Sequence, residues 1–502
     1  MMKVSFRHRL DGKLRAAVTR AFGLSRRCLR FSQPKLRLVP LAKGSQTVSL
    51  FLCLALLGAC ATYRPMPLDK GTVAAKLAPP NMETVRLRAK DIHHPILRPL
   101  DFDMSNGLSP DEAAILAVLA SPKLKATRDQ KGIAAAQLLQ AGILPNPQLS
   151  YGLDIPTAGM TQGTVNAFNF GMNWEITSVI ARGAKIAAAK ADAASVDLDV
   201  AWQEWQVAEG AKLQVYHLYF LDRQLAIARK EEEDLRENLG RVKRGAELGL
   251  VTVVDVAAAE AAVQKMHTTV LTTKQQREHE RLALNESLGF PADDLIPLEQ
   301  DIAPPDVKAL PLAAALAEGL EERRLDLVAL RSGYQSEEEK LRAAILGQFP
   351  KISIGFAHAG DTSNVITTGF GVTIDLPLFD RNQGTIAVED ATRSKLFDEY
   401  IARLFEARGE VARITADMES LRRQSDAAEK SIPTLQGLVE SYRAALLQGN
   451  ADVLTYYNAR ADLIARRIEL LDLKRQLADM HVALEISAGR YLGAAQKTGA
   501  SP

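Results

Sequence analysis

Between Gly183 and Glu247 the sequence holds no proline, and Ala, Leu, Glu, Lys and Arg dominate it, as in Ala184-Lys185-Ile186-Ala187-Ala188-Ala189-Lys190. These are strong helix formers, and at 1.5 Å rise per residue an unbroken helix over this span reaches roughly 100 Å. Segments 253–288, 384–447 and 452–491 carry the same bias, with Pro433 expected to kink or interrupt one of them. Helices of globular proteins run about 8–20 residues. A single chain cannot cover such rods with its own core, so neighbouring chains must share the task.

The rods belong to a pattern that occurs twice. Phe170-Gly171 recurs as Phe370-Gly371, and Pro147-Gln148-Leu149-Ser150 as Pro350-Lys351-Ile352-Ser353. Gly249 with Val253-Val254 recurs as Gly449 with Val453-Leu454, and Gly183 as Gly384. The offsets stay between 200 and 203, so order and spacing are both kept. Each copy reads as helix, two strands, long helix, turn, long helix. The first copy is expected over 109–295, with strands about 147–176 and a helical hairpin about 183–289. The second spans 296–493, with strands about 351–376 and a hairpin about 384–491. Ser109-Pro110-Asp111-Glu112 supplies an N-cap, a proline at the first helical position and a Glu at the third. Residues 494–502 read as a disordered tail.

The strands alternate. Leu149, Tyr151, Leu153 and Ile155 interleave with Ser150, Gly152 and Asp154, and Phe168, Phe170, Met172, Trp174 and Ile176 with Asn169, Gly171, Asn173 and Glu175. In the second copy Ile352, Ile354 and Phe356 alternate with Ser353 and Gly355, and Ile366, Phe370, Val372, Ile374 and Leu376 with Thr367, Gly369, Gly371, Thr373 and Asp375. Such alternation with aromatics on the apolar side suits a membrane barrel strand, and a half-buried soluble sheet gives the same pattern. Four strands cannot close a barrel, for which about eight is the practical minimum, and an open edge cannot sit in lipid. If these strands enter a membrane, several chains must pool them.

The N-terminal region is not core material. Residues 1–45 hold twelve Lys or Arg and one acid, Asp11, and an apolar run from Val48 to Leu57 precedes Gly58-Ala59-Cys60. This describes a secretory signal over 1–59, the apolar run being shorter than the roughly 20 residues that span a bilayer. An Arg-rich, acid-poor leader also fits a mitochondrial transit peptide. Leu57-Gly58-Ala59-Cys60 resembles a bacterial lipobox, which makes Cys60 the expected lipidation site. Cys28 and Cys53 would leave with the signal, so a lone Cys60 has no intramolecular partner. Residues 60–108, rich in proline, are expected to be a lipid-anchored extended segment. Without residues 1–45 the 62 basic and 60 acidic residues fall to 50 and 59, a net charge of −9. An acidic surface argues against nucleic acid as a partner.

Nothing marks an enzyme. There is no paired-His zinc motif, no Gly-rich phosphate loop followed by Lys and Ser or Thr, and no nucleophile elbow. No catalytic residue, metal site or cofactor is expected, and His267 and His279 read as solvated helix positions.

Over nearly all of residues 106–493 the chain resembles the TolC-like outer-membrane efflux proteins. The features that carry the resemblance are the two-fold repeat, Leu144-Pro145-Asn146-Pro147 entering the first strand and Leu376-Pro377-Leu378-Phe379-Asp380 leaving the last. The helix turns match as well: Leu248-Gly249-Leu250-Val251-Thr252-Val253-Val254-Asp255-Val256 and Gln448-Gly449-Asn450-Ala451-Asp452-Val453-Leu454. The resemblance implies a mostly α fold with a membrane β-barrel: a homotrimer with a 12-stranded barrel and a long α-helical tunnel. It also implies a place in the bacterial outer membrane, extending into the periplasm. The implied role is the exit duct of a tripartite efflux or type I secretion system, with a periplasmic adaptor and an inner-membrane RND or ABC pump as partners. The other reading of the residues is a lipid-anchored periplasmic coiled-coil scaffold or adaptor, which explains the helices and Cys60 but not four duplicated strands.

In this family the periplasmic helix tips close the duct. The resemblance therefore makes Asp255, Asp452, Thr455 and Asn458 the candidate gate, and Gly249, Leu250, Val251, Gly449 and Asn450 the adaptor contacts. Arg241, Arg244 and Arg443 are the basic neighbours expected to pair with the tip acids. Thr252 and Asp255 also have the spacing of a capping box, and Asn450 and Asp452 can be read as caps.

Overall fold

The computed structural model describes residues 63–305 and 312–492. The expected signal, Cys60 and the 494–502 tail lie outside the described residues. From Lys70 onward the chain forms one compact unit.

The helices are α1 (Lys70–Leu77), α2 (Met82–Ala89), α3 (Pro110–Ala120), α4 (Pro122–Ala141), α5 (Ser178–Glu247), α6 (Val253–Leu288), α7 (Ala313–Ala317), α8 (Leu320–Arg323), α9 (Leu325–Leu346), α10 (Gln383–Leu447) and α11 (Val453–Ala488). The strands are β1 (Gln148–Asp154), β2 (Ala167–Glu175), β3 (Lys351–Gly360) and β4 (Ile366–Asp375). The order α4-β1-β2-α5-α6 recurs as α9-β3-β4-α10-α11, the duplicated unit that the sequence spacing predicts.

The two strand pairs join into one antiparallel sheet in the order β1-β2-β3-β4, with β2 against β3 at the seam between copies. Opposed residues of an antiparallel sheet share a face. The register stacks Leu149, Met172, Phe356 and Phe370 in one row, Trp174, Ile354 and Val372 in another, and Ile352 beside Ile374. The opposite face carries Ser150, Gly171, Ala357 and Gly369, then Gly152, Asn169, Ala359 and Thr367. One face is therefore mainly apolar, interrupted by His358 and Thr368 beside Tyr151 and Phe170, and the other is small or polar. Phe356 and Phe370 meet edge-on at 5.5 Å, and the ring of Phe168 lies where a Cβ on Gly360 would sit, 2.5 Å from its nearest carbon. Phe370 is 89% exposed. Among the described residues neither the outer edge of β1 nor that of β4 has a partner strand.

The paired rods leave the sheet together. α5 is 70 residues long and α10 is 65, and each returns through a helix of 36. α5 begins at Ser178, five residues before the expected Gly183, because Glu175 Oε1 accepts from Ser178 N at 2.8 Å and the Thr177 hydroxyl donates to Ile352 O of β3. α10 runs unbroken through Pro433, contrary to an interruption there. A proline in a long helix forfeits one hydrogen bond while packing along the rest of the rod persists.

Ser109 and Glu112 form the expected capping box, but the helix they open ends at Ala120, and Pro122 opens a second one, α4. Residues 63–108 depart from the extended, unpacked form expected of this stretch. Pro79 and Pro80 lie between helices, Asn81 caps α2 through Thr84 N at 3.0 Å, and the (i, i+4) pair Val85 and Ala89 is buried. Leu97, Phe102 and Leu108 join them in the core beside Trp205 and Leu288. Leu108 also hydrogen-bonds the segment joining the copies, accepting from Glu299 N and donating to Pro297 O. Gly107, at φ +99°, permits this, since a Cβ would sit 2.5 Å from the Leu298 backbone.

Candidate functional site

The two helical hairpins end in turns of the same construction. Gly249 (φ +70°) and Gly449 (φ +73°) adopt the left-handed conformation that favours glycine. Leu250 N donates to Gly245 O at 2.8 Å and Asn450 N to Ala445 O at 2.9 Å, closing each rod with the same pair of C-terminal bonds.

The next residues cap the return helices. Asp255 Oδ2 accepts from Thr252 N (2.8 Å) and from the Thr252 hydroxyl (2.7 Å), while Thr252 Oγ1 accepts from Asp255 N. Asp452 accepts from Thr455 N (2.7 Å) and from the Thr455 hydroxyl (2.6 Å), and these bonds hold its carboxyl below the usual range. Asp452 alone is the cap, while the Asn450 amide reaches Gln448 at 3.4 Å. Asn458 is exposed one turn further on. The expected basic neighbours are elsewhere. Among the described residues neither tip acid makes an ion pair with Arg241, Arg244 or Arg443, and Arg241 lies nearest Glu237, at 3.9 Å. Both tips expose apolar side chains, Leu248, Leu250, Val253 and Val254 on the first and Leu447 and Leu454 on the second, where Val453 is buried.

Two turns above the tips the hairpins are fastened to each other. Arg460 of α11 donates to Glu231 of α5 through Nε (2.5 Å) and Nη2 (3.2 Å), reaches Asp234 at 3.4 Å, and donates to the Tyr456 hydroxyl at 3.2 Å. Asn238 Nδ2 donates to the Tyr457 hydroxyl at 3.0 Å. These polar groups sit within an apolar cluster that includes Leu225, Leu235, Met266, Tyr457 and Ile464. Sequence reading missed this fastening. Its signal was a charged residue inside an apolar helical stripe, Arg460 between Tyr456 and Ile464, and Glu231 between Ala228 and Leu235. His267 is partly solvated and also bonded, its Nδ1 lying 2.7 Å from Glu232 of α5.

Higher on the rods two further ionic knots cross between copies. His217 of α5 meets Asp479 of α11 (Nε2 to Oδ1, 2.8 Å) and Glu280 of α6 (Nδ1 to Oε1, 3.4 Å). The two carboxylates outweigh partial burial and raise the imidazole to about 9. Lys212 Nζ is ringed by Glu209 (3.1 Å), Glu485 (3.3 Å) and Asp111 (3.5 Å), with the Tyr491 ring 4.6 Å away. Burial pushes the enclosed Glu209 carboxyl up to about 8.

The outer membrane efflux protein family model matches residues 316–490. Among curated proteins the cation efflux system protein CusC of Escherichia coli (strain K12) is 23% identical over 278 residues, 53% of this chain and 60% of CusC. The probable outer membrane lipoprotein SilC of Salmonella typhimurium is 20% identical over the same shares. The match thus spans about 60% of the length of these relatives. The solved structures agree along more of the chain. CusC superposes with a TM-score of 0.65 at 18% identity, covering 80% of this chain and 98% of that one. The Campylobacter jejuni CmeC outer membrane channel gives 0.66 at 16% identity, covering 78% and 87%. The second half of the chain thus resembles the outer-membrane efflux proteins, and the fold is that of the solved outer-membrane channels. The likeness accounts for the architecture of a four-stranded sheet joined to two pairs of long rods. The members are channel proteins, not enzymes.

Proposed function

We propose that this chain is the outer-membrane exit duct of a tripartite efflux or type I secretion system, a passive channel across the periplasm and outer membrane. The observation that carries the reading is the sheet: one mainly apolar face, rich in aromatics, and, among the described residues, two unpartnered edges. In lipid such edges must be paired, and head-to-tail pairing of β4 with β1 of the next copy closes a ring. Three copies pool twelve strands, and Cys60 anchors each chain by lipid beside the barrel. A lipid-anchored coiled-coil scaffold leaves the apolar face unexplained.

The bare apolar tip around Leu250 and Val251, with Gly249, Gly449 and Asn450, supports docking to a periplasmic adaptor, with an inner-membrane RND or ABC pump supplying energy. Three copies of Asp255, Asp452, Thr455 and Asn458 would ring a narrow end and focus cations there. The fastening of Arg460 to Glu231 holds the hairpins closed, and release of that pair opens the duct. Three relatives are named for cation efflux, which makes small cations the first cargo class to test. The decisive experiment is purification from outer membranes followed by planar-bilayer recording. A heat-resistant trimer with single-channel steps supports the duct, and a soluble, non-conducting monomer refutes it.

A further inference from the structure

Below the sheet, α4, α5, α9 and α10 diverge and leave a groove of 720 Å³, within the range of small-molecule sites. Short side chains make the room: Ala181 and Ala188 on α5 face Ala343 and Ala344 on α9. At its floor Ser336 is 1% exposed and its hydroxyl has no partner. The neighbouring Glu337 is 2% exposed; one carboxylate oxygen lies 3.2 Å from Lys340 Nζ and the other, Oε1, has no partner.

Glu389 of α10 lines the same groove and meets the Glu337 carboxyl. The Glu337 carboxyl beside it, and then burial, raise the Glu389 carboxyl from its ordinary value. One lysine therefore answers two carboxyls, and the floor is short of one positive charge. The rim adds one base, Lys185, and one acid, Asp192.

We propose that this groove binds an organic ammonium ion, its N–H groups on Glu389 and Ser336, with Glu337 behind them adding negative charge, and its hydrocarbon on the alanine walls. A metal ion fits less well: two carboxyls and a hydroxyl fall short of the 6–8 oxygens that calcium takes, and among the described residues no cluster of three metal-ligating side chains exists. An anion would leave the unpartnered carboxylate oxygen unmatched. The groove lies within a single chain, so the site goes beyond the duct reading and does not depend on trimer formation.

The test uses the full chain in detergent with dansylcadaverine, a fluorescent primary amine, and its N-acetylated neutral form as control. Saturable binding of the amine is expected, about tenfold tighter than the acetylated form, the effect of one lost charge-assisted contact. Glu389→Gln should weaken it by a similar factor, and Ala188→Leu, which fills the groove, should abolish it. Equal binding of the acetylated form, binding unchanged by both substitutions, or no saturable binding each overturns the proposal. Heat-resistant trimers and channel activity are scored separately on the same preparations, so failure of the duct reading is distinguishable from failure of the site.

Discussion

Arg460 and Glu231, 229 residues apart, form a two-pronged pair between α11 and α5 with contacts of 2.5 and 3.2 Å. Their side chains are 16% and 8% exposed, so removing either partner strands a charge in a nearly dry site, a loss of about 3–5 kcal/mol. If this pair holds the closed duct, Arg460→Ala should raise single-channel conductance in planar bilayers. The exchange of charges, Glu231→Arg with Arg460→Glu, should return it toward the parent value. Conductance unchanged by Arg460→Ala would remove the pair from gating.

At the tips, Asp255→Ala with Asp452→Ala should reduce block of the channel by multivalent cations, if three copies of each acid ring the pore. Both carboxylates also cap their helices, so amide exchange should quicken in the first turns of α6 and α11. Faster exchange with unaltered cation block would reduce these acids to caps.

His217 makes stability depend on pH in a stated direction. Its ordinary value is 6.5 and its folded value about 9, so the folded state binds the proton more tightly than the unfolded chain. The stabilisation is complete below pH 6.5 and is lost as pH rises through 9, amounting to at most ~3 kcal/mol. Thermal unfolding of His217→Gln should fall furthest below the parent at pH 6 and approach it by pH 10. A gap that widens with pH contradicts the assignment.

The two faces of the sheet should respond differently to charge. Phe370→Arg or Phe170→Arg should impair membrane insertion by about 2–4 kcal/mol per site near the bilayer midplane. Asn169→Arg and Thr367→Arg, on the small and polar face, should still yield heat-resistant trimers. Equal tolerance on both faces would mark a soluble sheet.

Anchoring has its own readout. Cys60→Ser should abolish incorporation of labelled palmitate and slow removal of the signal. Labelling that persists in the variant would place the lipid elsewhere.

Much of this architecture is legible in the sequence because its signals are periodic. Phe168, Phe170 and Met172 announce a two-sided strand by spacing alone, and Gly249 and Gly449 mark turns that need φ above zero. The return helix 253–288 follows from the same logic. What escaped has a different physics. The fastening of Arg460 to Glu231 depends on which rods lie side by side, and spacing within one helix does not report that. Val85 and Ala89 hid in a proline-rich stretch, because Pro79, Pro80, Pro95 and Pro99 suggest extension while sitting in the breaks between packed pieces. Asp255 was visible as a residue, but only the Thr252 contacts reveal how much of its carboxylate the cap already occupies.

The free outer strands bear on the genetics of this protein. If every copy must offer one edge and accept another, a subunit whose β1 cannot pair still occupies a place beside a healthy β4 and leaves the ring open. A defective allele would then act dominantly over a normal one. At equal expression of the two alleles only a small minority of rings would be built wholly from sound copies, so a single edge-breaking substitution is a more severe lesion than deletion of one gene copy.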